Sequence, residues 1–189
     1  MRKIGIYGGT FDPIHHGHLI IAREVLETLG LERVIFVPTR VSPFKKAAPI
    51  ASGEIRLSIT RAAIENEAGF AVDDCELHRT PPSYTIDTVE EIRRRQSDAE
   101  IYCLIGEDNV DDLRKWHRFA ELDKMVRFVV LDRTGQQPSH PYQVIRRKID
   151  ISATEIRKRV ATGRPIRYFV PRAVEEIIYR EKLYLEQPK

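Results

Sequence analysis

The chain has 189 residues, 42% of them hydrophobic and 31% charged, enough to bury one sizeable core, and its net charge of +3 is too small to argue for a nucleic-acid platform. Its two cysteines, Cys75 and Cys103, sit in apolar surroundings, which argues against a disulfide framework or a paired-thiolate zinc site and for buried, inert thiols. No apolar run approaches the roughly 20 residues of a membrane span, and no signal peptide precedes the first glycine turn, so the expectation is a cytoplasmic protein without membrane partners.

In chain order, KIGIYG (3–8) reads as a strand ending in glycine, and HLIIAREVLETLG (18–30) as an amphipathic helix stopped by Gly30. RVIFVP (33–38) is a second buried strand, and 53–67 a second helix. FAVDD (70–74) reads as a third strand, and 83–96 as a helix with a capping signal at its start. EIYCLIG (100–106) and VRFVVLDR (126–133) are further strands, flanking a helical VDDLRKW. Beyond them a loop leads to VIRRKI as a candidate late strand, followed by short helices at 152–162 and 171–181. Strands and helices alternating at this rhythm imply an α/β fold, with a doubly wound, mostly parallel sheet that binds ligands at the carboxyl ends of its strands. The whole chain, 1–189, reads as one domain whose part from about 150 onward is a small helical region. RRR at 93–95 reads as a solvated helix face rather than a nucleic-acid patch.

The stretch GGTFDPIHHGH (8–18) carries the chemistry. Gly8 and Gly9 let the backbone approach a phosphate, and the helix beginning near Gly17 adds its positive end. The spacing fits neither a Walker loop nor a dinucleotide fingerprint. Instead it supplies imidazoles, which can donate to a phosphate oxygen and stabilise charge that builds there. His15 and His18 bracket Gly17, whereas His16 faces elsewhere.

This segment resembles the H-x-G-H signature of the nucleotidyltransferase superfamily, and its G-T-F-D-P lead is similar to that of the nicotinate-nucleotide adenylyltransferases. The resemblance implies the Rossmann-like nucleotidyltransferase fold, His15 and His18 on the phosphates of ATP, and Thr10 and Phe11 in the turn that holds it. ISATEIR (151–157) reads on its own as a strand end and a capped helix start; it is similar to the family's I-S-S-T-x-I-R, which implies that Ile151, Ser152, Thr154 and Arg157 hold ATP from the opposite side. Ala153 stands where the family has a second serine. In PPSYTIDTVEEI (81–92), similar to the family's S-Y-T-x-D-T, Tyr84 and Thr85 open a helix suited to a carboxylate, and Asp87 is a first-turn acid. By the same resemblance Gly106 and Asp108 lie near the adenosine, and Trp116 stacks on a pyridine ring with His117 beside it. The loop PTRVSPFKK (38–46) departs from the family pattern and leaves Lys45 to reach a phosphate. GRPIRYFVPRAVEEII (163–178) extends the likeness to the end of the chain.

The reaction so implied is attack by the 5′-phosphate of nicotinate mononucleotide on the α-phosphorus of ATP, giving nicotinate adenine dinucleotide and pyrophosphate. Mg2+ would arrive on the ATP phosphates, with no protein cage of its own. The alternatives are the nicotinamide mononucleotide or phosphopantetheine as acceptor, or a nucleotide-binding regulator without catalysis.

Overall fold

The computed structural model describes residues 2–40, 48–132 and 140–185. In chain order the elements are β1 (Arg2–Gly9), α1 (His16–Leu29), β2 (Arg33–Pro38), α2 (Gly53–Ala63), β3 (Phe70–Val72), α3 (Cys75–His78), α4 (Thr85–Arg95) and β4 (Ala99–Gly106). Two short 3₁₀ turns follow at Glu107–Asn109 and Leu113–Lys115. Then come α5 (Phe119–Met125), β5 (Arg127–Asp132), β6 (Gln143–Arg146), α6 (Ala153–Ala161) and α7 (Arg172–Arg180).

The described strands form one sheet in the order β3-β2-β1-β4-β5-β6, and each neighbouring pair is parallel. Its two faces follow directly from the period-2 alternation of buried residues. Ile4, Ile6, Ile35, Val37, Ile101, Cys103 and Ile105 point to the face covered by Ile86, Val89 and Ile92 of α4 and Leu122 of α5. Tyr7, Val34, Phe36, Tyr102 and Leu104 point to the other, against Ile21 and Val25 of α1, Ile59 of α2, Ile156 of α6 and Val174 and Ile178 of α7. The C-terminal helices therefore share the core of the sheet instead of forming a layer apart.

Winding reverses between β1 and β4, so the carboxyl ends of these two adjacent strands, Gly9 and Gly106, open the crevice where a doubly wound sheet takes its ligands. The chain leaves β1 through a turn centred on Asp12, which is 5% exposed. The Asp12 carboxylate accepts from the backbone N–H groups of Ile50 (2.8 Å) and Ala51 (3.2 Å) and from the Tyr184 hydroxyl (2.7 Å). One buried acid thus joins the β1 turn, the approach to α2 and the end of the chain. Arg56 of α2, itself 1% exposed, adds bonds to the carbonyls of Thr10 (2.7 Å), Ala51 (3.2 Å) and Arg40 (3.4 Å).

Several sequence expectations are corrected. VDDLRKW forms only the 3₁₀ turn Leu113–Lys115, because Leu113 is its one buried apolar anchor and the chain extends at Trp116. The helix expected over 53–67 stops at Ala63, followed by left-handed backbone at Asn66 and Gly69 (φ 64° and 83°). The helix expected from residue 83 starts at Thr85, after an extended Tyr84. α3 and α5, of four and seven residues, were not anticipated. VIRRKI does supply a strand, β6.

Ile4 is fully buried on the α4 face, so Ile4→Ala should lower unfolding stability by about 2–5 kcal/mol in urea denaturation. Tyr184→Phe, which deletes one hydrogen bond to a buried carboxylate and nothing else, should lower it by about 1.5–3 kcal/mol in the same measurement.

Candidate active site

The first side of the crevice is the turn after β1. Gly9 must lack a side chain, because a Cβ there would stand 2.7 Å from the Phe11 ring. That ring folds back over the glycine from a left-handed residue (φ 48°) and packs edge-on against Tyr7 (5.6 Å between centroids) and His18 (5.2 Å). Phe11 is 2% exposed, so it serves as the backing of the His18 imidazole.

His15, in extended conformation, is the N-cap of α1, and its carbonyl accepts from the backbone N–H of His18 (2.9 Å). The return bond runs from the His15 N–H to Nδ1 of His18 (3.3 Å), which places the neutral ring's proton on Nε2. The two imidazoles stack at 3.7 Å. A Cβ at Gly17 would press within 3.0 Å of the His15 ring, which explains the glycine between them. His15 is only 1% exposed and lies behind His18, so of the pair it is His18 that lines the hollow. His16 turns away: its N–H bonds to the Phe169 carbonyl, and burial lowers its imidazole pKa.

The opposite side is the start of α6. Arg157 donates from Nη1 to the Asp12 carbonyl (2.7 Å) and from Nη2 to Thr154 Oγ1 (3.2 Å). Tyr7, Gly8, Gly9, Thr10, His18, Thr154 and Arg157 line one open hollow, so the two halves of the expected phosphate grip face the same space. Ile151 and Ser152 are not brought to it. Ser152 instead caps α6, its hydroxyl accepting from the Glu155 N–H at 3.1 Å, and the next residue, Ala153, takes a place on the hollow's wall.

A second hollow of about 190 Å³ adjoins the first, and Gly8, Gly9, Thr10, Gly106, Asp108 and Asn109 belong to both. A side chain at Gly106 would collide with the Asp108 carboxylate, so the glycine lets that acid fold back into the crevice. The remaining wall includes Tyr84, Thr85, Trp116 and His117, the four residues expected for the ring-bearing substrate. His117 stacks on Tyr84 at 4.2 Å, and the Trp116 indole meets Phe128 edge-on at 6.4 Å. Asp87 accepts from the Tyr84 N–H (3.3 Å) and so fixes the N-terminus of α4, the first-turn role read from the sequence. Lys45 lies outside the described residues.

Other residues of the site were not singled out from the sequence. Ser83 and Thr88, which lie in the S-Y-T-x-D-T segment, line the second hollow with Glu76, for which no motif gave a signal, while Arg56 and Tyr184 brace the β1 turn from behind. Burial pushes the thiols of Cys75 and Cys103 up to about 12, so both are unreactive at neutral pH. Among the described residues no three His, Cys, Asp or Glu side chains are grouped to hold a metal ion.

Comparison with known proteins bears on the family and the fold. Residues 6–159 match the family model described as cytidylyltransferase-like. A chain from Shouchella clausii named "Probable nicotinate-nucleotide adenylyltransferase" is 44% identical, with 97% of each chain covered. One of the same name from Geobacillus thermodenitrificans is 42% identical over 97% of this chain and 87% of its own. Among solved structures, the Plasmodium falciparum nicotinic acid mononucleotide adenylyltransferase complexed with NaAD superposes with a TM-score of 0.78 at 18% identity, covering 97% of this chain and 98% of its own, a likeness of fold. The chain belongs to the nicotinate-nucleotide adenylyltransferase family of the cytidylyltransferase-like nucleotidyltransferases.

Proposed function

We propose that the protein transfers the adenylyl group of ATP to nicotinate mononucleotide, releasing pyrophosphate. The observation that carries this reading is the pair of adjoining hollows. One is faced by an imidazole and a guanidinium, the other by an indole and a helix start, and the wall between them is the backbone at the ends of β1 and β4. Two substrates held this way meet over Gly8–Thr10 and Asp108.

In this mechanism the triphosphate lies between His18 and Arg157. The mononucleotide ring sits against Trp116, its carboxylate toward the α4 N-terminus at Thr85. The 5′-phosphate oxygen attacks the α-phosphorus in line and pyrophosphate departs. A phosphate is already an anionic nucleophile near neutral pH, so the protein need supply no base and form no covalent intermediate. Its work is to hold two mutually repelling anions in line and to neutralise charge on the transferring group. His18 donates from Nε2, Arg157 adds a fixed positive charge already aimed by the Asp12 carbonyl, and the backbone N–H groups after β1 complete the cradle. His15 acts through His18, holding its ring by stacking and by the N–H to Nδ1. Magnesium would come with the triphosphate and shield phosphate charge, and Asp108, on the wall shared by the two hollows, is the carboxylate that would face it.

A coupled pyrophosphate-release assay, run in parallel with nicotinate mononucleotide, its amide and phosphopantetheine, should give the highest kcat/KM with the first; a preference for either other acceptor overturns the assignment. In that assay His18→Ala should lower turnover about 10²–10³-fold, the ~2.7–4 kcal/mol of one transition-state donor, with ATP binding little changed. Trp116→Ala should raise KM for the mononucleotide about tenfold, within the roughly 1–3 kcal/mol of base–aromatic stacking, and leave KM for ATP alone.

A further inference from the structure

Glu76 occupies a place that the mechanism above does not use. It lies in α3, is 7% exposed, and lines the hollow that also holds Trp116, Tyr84 and Thr85. Its Oε1 accepts from the Thr88 hydroxyl at 2.8 Å. The nearest cation, Arg79, is committed elsewhere. It donates to Ser83 Oγ (2.6 Å) and Thr88 Oγ1 (3.1 Å), and its ion pair is with Glu91 (2.8 Å). Among the described residues no ion pair reaches Glu76 itself.

The charged and titratable groups around it come from every neighbouring element: Cys75 and Arg79 on its own segment, Asp87 and Glu91 on α4, Cys103 on β4, and Tyr84, Asp108 and His117 around the hollow. Burial is the strongest influence on Glu76, pushing its carboxyl up to about 7; Asp87 acts in the same direction, and Thr88 and Arg79 against it. A carboxyl so placed changes between donor and anion within the range where the enzyme would work.

We infer that Glu76 reads the ring substituent of the mononucleotide that Thr85 faces: as a neutral carboxyl it donates to the carboxylate oxygen left free by the α4 N-terminus, and as an anion it repels that ligand while accepting from the NH₂ of the neutral amide. This rests on the reaction proposed above, since it assigns the occupant of the same hollow. The chemistry is a like-charge filter. Two carboxylates in a water-poor pocket cannot both be ionised without large cost, whereas a shared proton joins them.

The test is calorimetric binding of nicotinate mononucleotide and of its amide at pH 6 and pH 8.5, to the native chain, Glu76→Gln and Glu76→Asp. The 5′-phosphate titrates in both ligands and cancels in the acid-to-amide ratio of dissociation constants. For the native chain that ratio should rise by more than about tenfold between the two pH values, as the neutral form is depleted. Glutamine keeps an acceptor for Thr88 and donates at every pH, so its ratio should stay flat and low; aspartate keeps a titrating group and should keep the dependence. A native ratio that does not change with pH, or one that changes equally in Glu76→Gln, overturns the inference. Pyrophosphate release, measured on the same samples, separates the two claims: tight, pH-selective binding without release contradicts the proposed reaction and leaves the role of Glu76 standing. Failure of nicotinate mononucleotide to bind at both pH values overturns both.

Discussion

The site is built around a single buried carboxylate. Asp12 sits where the central strand turns toward the first helix, and its side chain holds Ile50, Ala51 and Tyr184 while its own carbonyl holds Arg157. A buried acid is costly unless its lone pairs are filled, and here each bond that fills one also fastens a distant segment to the phosphate turn. Arg56, also buried, donates to the carbonyls of Thr10 and Ala51, on two of the same stretches, and to that of Arg40 after β2, and it balances the Asp12 charge. The Arg157 guanidinium that faces the first hollow is therefore positioned by the same residue that shapes the opposite wall. The two sides of the grip are set by one hub.

From that hub the catalytic arrangement follows with few further assumptions. The sheet brings the ends of β1 and β4 together at the reversal of winding, and two glycines there, Gly9 and Gly106, make room for Phe11 and Asp108 to fold inward. Phe11 and His15 then trap the His18 ring from two sides, one edge-on and one stacked. Such a ring pays its ordering cost during folding, before substrate arrives, which is what electrostatic preorganisation requires. The second hollow depends on the same wall, so in the proposed reaction the geometry that holds one anion also limits where the second can lie.

Much of this was legible in the residues. The β-strands could be read because each carries a strict alternation or a short apolar run, and the parallel order because helices separate them. Gly8, Gly9, Thr10, Phe11, His15, Gly17, His18, Thr154, Arg157, Tyr84, Thr85, Trp116 and His117 could be named because their spacing is local and a family resemblance attaches to it. What stayed hidden is non-local. Arg56 looks in the sequence like any cation on a helix surface, and only the fold reveals that it is buried against Thr10 and Ala51. Tyr184 reaches Asp12 across 172 positions, and no pattern near either residue announces it. Glu76 sits in a helix of four residues, too short for periodicity to mark, and its environment is supplied by Thr88 and Arg79. For Ser152 the sequence offered two roles at once, since a capping hydroxyl and a ligand-binding hydroxyl are the same letter, and the structure shows the cap.

The claim on which the account turns is that His18 and Arg157 engage one triphosphate from opposite flanks. The most direct measurement is a crystal structure with a non-hydrolysable ATP analogue and magnesium. The account expects Nε2 of His18 and the Arg157 guanidinium each within hydrogen-bonding distance of phosphate oxygens of the same nucleotide. A nucleotide whose phosphates lie outside the hollow, or touch only one of the two residues, would contradict it.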